Sequence, residues 1–122
     1  MSLTLIPTVR TVLSVLVAFM VVLVAGPAAE AQGLKVGILH IGSMADGGYN
    51  QAHAEGIQAM KRNLPGVEVI EVENVPEGAD AERVMENMVK QGAKLIVPAS
   101  CGYLEPALRV AAKYPDVKFF HP

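Results

Sequence analysis

Short apolar runs alternate with longer stretches of helical periodicity from Lys35 to the end of the chain. Four such runs, at 35–41, 67–72, 94–99 and 117–120, are rich in apolar residues and bounded by turn-forming residues. The second run alternates partly with glutamates, as a half-exposed strand at a sheet edge would. The pattern therefore predicts four β-strands.

Three helices are predicted between these strands. The first runs over about 49–62, where small residues including Ala52 and Gly56 predict a face that packs closely on a sheet. The second helix has Asp80 as its predicted N-cap, and the third has Pro106 in its first turn. The order strand, helix, strand, helix, strand, helix, strand predicts an α/β fold with a parallel doubly wound sheet and right-handed crossovers.

Two loops are candidates for a binding site, because ligands of open α/β sheets bind at the carboxyl ends of the strands. If the spatial strand order is 2-1-3-4, the loops after the first and third strands face one crevice. Each loop offers an aromatic residue beside glycines. The candidate residues are Asp46, Tyr49 and Asn50 in the first loop, and Ser100, Gly102 and Tyr103 in the second.

Each residue of the first loop also has a structural interpretation. Asp46 could cap the following helix, Tyr49 could be a packing residue, and Asn50 could cap a turn. A flat ring stacked on Tyr49, with polar groups held by Asp46 and Asn50, is the binding interpretation. The Gly42–Gly48 loop matches neither a phosphate-binding P-loop nor the dinucleotide fingerprint.

The N-terminal segment predicts export. One base, Arg10, precedes an uncharged apolar stretch at 12–25, and Ala29-Glu30-Ala31 follows as a cleavage site. A helix that spans a bilayer needs about 20 apolar residues, so this run is short for an anchor. We expect a signal peptide at 1–31, cut before Gln32; an uncleaved single-pass anchor is the alternative.

Composition narrows the classes of protein. The chain has 122 residues, a formal net charge of −2 and one cysteine, which indicates one domain without a disulfide framework or an all-cysteine metal site. This charge gives no basis for nucleic-acid binding.

Two other hypotheses stay open. Cys101 in a sharp turn would suit the nucleophile of a small exported enzyme, with His40 as the histidine at the same carboxyl edge of the sheet. An inert fragment is a third hypothesis, because residues 32–122 form a small core and the chain ends at the fourth strand without a covering helix.

Several motifs resemble the basic membrane protein family, the substrate-binding proteins of ABC importers for purine nucleosides. They are the loop Asp46-Gly47-Gly48-Tyr49-Asn50, the segment 73–83 (ENVPEGADAER), Ser100-Cys101-Gly102-Tyr103 and Tyr114-Pro115-Asp116-Val117-Lys118-Phe119. The resemblance covers essentially all of 35–122. It implies a Rossmann-like lobe of a type I periplasmic binding protein. Because members of the family are several-fold longer, we expect residues 32–122 to be the N-terminal, truncated part of the first lobe.

The same resemblance implies a function. It predicts an extracytoplasmic solute-binding component that is not an enzyme and needs no cofactor or metal. Its partners would be a purine nucleoside or base and the membrane permease of an importer, in the periplasm, free or associated with the membrane. Tyr49 would stack on the base, with Asp46 and Asn50 in the same binding loop and Ser100, Gly102 and Tyr103 in the facing loop.

Overall fold

The four predicted strands form a single parallel sheet in the computed structural model, which describes residues 33–122. The strands are β1 (Lys35–His40), β2 (Glu68–Val72), β3 (Leu95–Ala99) and β4 (Lys118–Phe119). Their spatial order is β2-β1-β3-β4, with parallel pairing throughout. The predicted order and the α/β doubly wound class are confirmed.

Three helices connect the strands. They are α1 (Tyr49–Asn63), α2 (Ala79–Lys90) and α3 (Leu104–Lys113), the last preceded by a 3-10 turn at Cys101–Tyr103. Right-handed crossovers place α1 on one face of the sheet and α2 and α3, which pack on each other, on the opposite face. From β1 the chain crosses to β2 on one side of the sheet, and the later strands β3 and β4 are added on the other side. The carboxyl ends of β1 and β3 therefore form the topological switch point.

The main core lies between the sheet and the pair α2 and α3. Gly37 permits this packing, because a Cβ there would lie 2.6 Å from Met88 Sδ and 2.8 Å from Ile96 Cδ1. Burial of these apolar side chains is the main stabilising contribution to the lobe. The buried core residues are Leu39, Val75, Ala81, Met85, Met88, Ala93, Ile96, Tyr103, Ala107, Val110 and Val117.

The packing face predicted for α1 is wrong at Ala52 and Gly56, whereas Ala59 and Met60, which the same periodicity placed on it, are half-buried. Ala52 and Gly56 are exposed, and Asn50 is the buried residue of this helix. The physical reason is a polar anchor at the helix start: the Asn50 side chain hydrogen-bonds Gly42 and Asp46, which fixes how the helix is rotated about its axis. Small residues alone do not set that rotation.

The predicted N-cap of α2 is also wrong by two residues. The helix begins at Ala79 after Gly78, whose φ of 81° lies in the left-handed region that glycine tolerates. Asp80 therefore lies in the first turn, where it pairs with Arg83 and interacts favourably with the helix dipole.

The predictions for the N-terminal segment concern residues outside the described part of the chain. The signal peptide at 1–31 and its cleavage before Gln32 therefore stay predictions. Within residues 33–122, no helix is long and apolar enough to cross a membrane.

Candidate ligand-binding site

The loop after β1 is built around the carboxylate of Asp46. Its Oδ1 accepts the backbone N–H of Gly48 at 2.8 Å and of Gln51 at 3.1 Å. Its Oδ2 accepts the backbone N–H of Asn50 at 3.1 Å and the Asn50 side-chain amide at 2.7 Å. Asp46 thus satisfies donors in the first turn of α1, which have no partner within the helix.

These bonds change the acidity of Asp46 and define its part in the site. The Asn50 side-chain hydrogen bond, followed by the backbone bonds, holds the Asp46 pKa well below its ordinary value. Each carboxylate oxygen accepts two hydrogen bonds, all from residues 48–51 of the same loop and helix start. Its capping interpretation is confirmed by this geometry, whereas direct contact with a ligand stays a prediction.

Asn50 and Tyr49 lie side by side but face different surroundings. Asn50 is buried and also accepts the backbone N–H of Gly42 at 3.2 Å, so it ties both ends of the loop together. Tyr49 is 52 % exposed, and its ring packs edge-on against His53 with centroids 4.6 Å apart. The loop therefore presents one open aromatic face at the carboxyl edge of the sheet, supported by the next turn of α1.

The loop after β3 is held by an acid that the sequence analysis did not single out. The buried Ser100 donates its hydroxyl to Glu77 Oε1 at 3.0 Å. A Cβ built on Gly102 would overlap the Glu77 carboxylate, so a larger residue here would require the exposed Glu77 side chain to move away from Ser100. The Ser100 carbonyl also accepts a hydrogen bond from His121 Nε2 at 2.8 Å.

Tyr103 does not present its ring to the crevice, contrary to the prediction of an aromatic surface on this loop. It is 0 % exposed, and its hydroxyl donates to the Val75 carbonyl at 2.5 Å. Burial, followed by the nearby Glu77 charge, raises the pKa of Tyr103 to about 12. The 3-10 turn directs the side chain into the core between α2 and α3, so its contact with a ligand remains a prediction that this placement does not favour.

A third segment, Glu73–Gly78, lies across the carboxyl end of β1 and contacts both candidate loops. The backbone N–H of Asn74 donates to Gly42 at 3.2 Å, and that of Val75 donates to His40 at 3.0 Å. Glu73 Oε2 accepts the N–H of Met44 at 2.7 Å. Glu73 itself is exposed, and the turn-forming residues Pro76-Glu77-Gly78 that follow it are the sequence signal that this segment folds back.

A buried polar pair lies beneath this segment. His40 is fully buried at the end of β1, and its Nε2 is 3.0 Å from Glu71 Oε1 on β2. Among the described residues, His40 Nδ1 has no hydrogen-bond partner. The pair occupies the sheet face covered by α1, because alternation along β1 places Gly37 and Leu39 on the opposite face.

The geometry gives no support to a Cys101 nucleophile. Cys101 is exposed and unbridged, and no hydrogen bond in the described part of the chain joins it to a histidine. His40 Nε2 is directed at Glu71 and His121 Nε2 at the Ser100 carbonyl. Activation of a thiol needs a base within hydrogen-bond reach.

The fold and the position of these loops define a class of protein. A doubly wound parallel lobe with an open aromatic and polar loops at its switch point is the arrangement of a ligand-binding α/β lobe. The family model for PnrA-like ABC transporter substrate-binding proteins, named Bmp, matches residues 34–122. The chain belongs to this family, as the resemblance predicted. Members of this family are solute-binding proteins, so membership does not favour the hypothesis of an enzyme with a Cys101 nucleophile.

Individual relatives agree with the family. The chain is 42 % identical over 97 residues to the purine-binding protein of Brucella abortus (strain 2308), an overlap of 79 % of this chain and 28 % of that relative. An ABC transporter solute-binding protein of Conexibacter woesei has a TM-score of 0.65 and 32 % identity over 70 % of this chain. One from Aeropyrum pernix K1 has a TM-score of 0.62 and 28 % identity over 72 %. These two alignments span 28 % and 24 % of the solved chains.

Proposed function

We propose that this chain is part of the extracytoplasmic solute-binding component of an ABC importer that takes a purine nucleoside or base. The observation that carries the proposal is the 42 % identity to a purine-binding protein over 79 % of this chain. Residues 32–122 would be the N-terminal part of its first lobe, and residues 1–31 the signal peptide that directs it to the periplasm. Its macromolecular partner would be the membrane permease of the importer.

The open face of Tyr49 supports this proposal. A purine is a flat aromatic ring, and stacking between a base and an aromatic side chain contributes about 1–3 kcal/mol to binding. Tyr49 is half exposed and held by His53, so its ring is available and its orientation is restrained. In this arrangement Tyr49 contacts the base.

The other candidate residues act around Tyr49. Asp46 and Asn50 keep the start of α1 fixed, since they join Gly42, Gly48 and Gln51 through side-chain hydrogen bonds. Ser100 and Gly102 shape the facing loop. Closure of two lobes about a hinge would then enclose the ligand, without any chemical step.

Calorimetric titration of the natural full-length protein with adenine, adenosine, guanosine and inosine tests this function. At least one should bind, and Tyr49→Ala should weaken its binding by about fivefold to 150-fold, the equivalent of about 1–3 kcal/mol. Tyr49→Phe keeps the ring and should stay within about threefold of the wild type.

Two results would contradict the proposal. Absence of binding by all four compounds would reject the purine ligand. Unchanged affinity in Tyr49→Ala would reject the stacking role and leave the ligand class standing.

A further inference from the structure

A histidine that is not among the predicted site residues lies at the same edge of the sheet. His121 comes shortly after β4, next to Phe120, whose backbone N–H still donates to Ile96 of β3 at 2.9 Å. Because β3 and β4 are parallel neighbours, the residues that follow both strands share the carboxyl edge. His121 therefore lies beside the loop after β3, which is one of the two candidate binding loops.

The His121 ring is held at one of its nitrogens. Its Nε2 lies 2.8 Å from the Ser100 carbonyl oxygen. A carbonyl oxygen can only accept a hydrogen bond, so Nε2 carries the hydrogen. Ser100 is buried, donates its hydroxyl to Glu77 at 3.0 Å and accepts the backbone N–H of Tyr103 at 3.0 Å. The ring is thus attached to a residue that two other contacts restrain.

The other ring nitrogen of His121 is a free acceptor. In a neutral imidazole with its hydrogen on Nε2, Nδ1 has a lone pair that accepts a hydrogen bond. Within residues 33–122, Nδ1 of His121 makes no hydrogen bond, and it is not one of the buried atoms that lack a partner. It therefore reaches solvent at the carboxyl edge. His40 differs, because its unpartnered Nδ1 is buried in the fold.

The acceptors that were predicted in the first loop are already engaged. Each carboxylate oxygen of Asp46 accepts two hydrogen bonds from the start of α1. Asn50 Oδ1 accepts the backbone N–H of Gly42 at 3.2 Å. A ligand stacked on Tyr49 has N–H or O–H groups that lose free energy if they are buried without an acceptor. The free Nδ1 of His121 can supply such an acceptor without breaking a bond of the loop.

We propose that His121 is a further ligand-binding residue: the Ser100 carbonyl orients its ring through Nε2–H, and Nδ1 accepts a hydrogen bond from an N–H or O–H group of the ligand. This inference rests on the proposed function. A purine base presents N–H donors on its rings and amino group, and a nucleoside adds the hydroxyl groups of its ribose. The group that His121 recognises is one of these donors.

The first test is calorimetric titration of the natural full-length protein with the purine that binds most tightly among adenine, adenosine, guanosine and inosine. His121→Ala removes the acceptor and should weaken binding about twofold to twelvefold, the range expected for one neutral hydrogen bond. Lys118→Gln is the matched control on the same strand. Lys118 is exposed at the amino end of β4, and its substitution should leave the affinity unchanged.

A second variant separates contact with the ligand from support of the loop. His121→Gln keeps an N–H donor that can reach the Ser100 carbonyl, but it lacks the imidazole Nδ1. It should recover the free energy of unfolding that His121→Ala loses, whereas its affinity for the purine should stay reduced. Recovery of the full wild-type affinity in His121→Gln would mean that His121 acts only through Ser100, and the acceptor role would be refuted.

Analogues of the bound purine that each lack one donor identify the group that Nδ1 accepts. They are the N-methyl forms for the ring N–H groups, the form without the amino group, and the 2′-, 3′- and 5′-deoxy forms for the hydroxyls. For the donor that contacts His121, loss of the donor and His121→Ala should together cost no more affinity than either change alone. Losses that add for every analogue would overturn the inference.

These outcomes are distinct from those that test the function. If a purine binds the wild type and binds His121→Ala equally well, the inference about His121 is wrong while the proposed function stands. If none of the four compounds binds the wild type, the purine function fails and this inference fails with it.

Discussion

Replacing Tyr103 by Phe tests how the loop after β3 is joined to the segment 73–78. The Tyr103 hydroxyl is buried and donates to the Val75 carbonyl at 2.5 Å, and Val75 is itself 3 % exposed. Tyr103→Phe preserves the ring but leaves this carbonyl without its donor, where water does not reach it. A buried acceptor left unsatisfied costs about 1–3 kcal/mol. We expect the free energy of unfolding to fall by that amount.

The assay is chemical unfolding, combined with hydrogen exchange of the peptides that contain 73–78 and 100–104. Tyr103→Phe should lower the unfolding free energy and reduce exchange protection in both segments. Tyr114→Phe is the matched control, because Tyr114 is partly buried at the edge of the same core and its hydroxyl makes no hydrogen bond within the described residues. Equal behaviour of the two variants would refute the argument.

The pH dependence of stability provides a second readout for Tyr103. The pKa of this phenol is raised from 10.0 to about 12 in the folded state, chiefly by burial and then by the Glu77 charge. Between these values the unfolded chain has lost the proton and the folded chain retains it, so stability falls as pH rises from about 10 to 12. Tyr103→Phe should lack this contribution, and a slope equal to that of the wild type would contradict the assignment.

Three further predictions follow from the same contacts. Asp46→Asn should lower the melting temperature at neutral pH. Because the Asp46 pKa is depressed in the folded state, the stability of the wild type should fall as the pH drops below about 4. Thermal melts over this acid range should show a smaller loss of stability in Asp46→Asn than in the wild type. Gly102→Ala should displace the Glu77 carboxylate from Ser100 and cost about 0.5–1.5 kcal/mol of stability, the contribution of the hydrogen bond lost. In a Glu77→Ala background, where that bond is already absent, Gly102→Ala should cost less, which a double-mutant cycle measures. Met88→Ala should lower the free energy of unfolding by about 2–5 kcal/mol, since Met88 is fully buried against Gly37. A loss below about 1 kcal/mol in chemical unfolding would mean that the surrounding core relaxes to fill the cavity.

The local part of the candidate site was predictable because its residues are close in sequence. Asp46, Tyr49 and Asn50 span five positions at a strand-to-helix turn, so any helix that starts there brings them together. The sequence also predicted that Asp46 could cap the helix. It could not decide between capping and ligand contact, because an aspartate before a helix has the same local pattern in both cases.

The contacts of Tyr103 and Glu77 were not predictable in the same way. A tyrosine beside a glycine in a loop has one sequence pattern whether its ring faces solvent or core. Its burial follows from the 3-10 turn, which directs the side chain toward Val75, a residue 28 positions away. Glu77 likewise meets Ser100 across 23 positions, at a place set by the strand order.

The sequence by itself therefore determined the elements, the parallel α/β class and the edge of the sheet where the candidate site is proposed, because periodicity and turn residues act over short stretches of chain. The tertiary structure decided the rotation of α1, the burial of Tyr103 and the position of Glu77 beside Gly102. Those features depend on polar groups finding partners across loops that are distant in sequence. Only the assembled sheet brings such groups within hydrogen-bond distance.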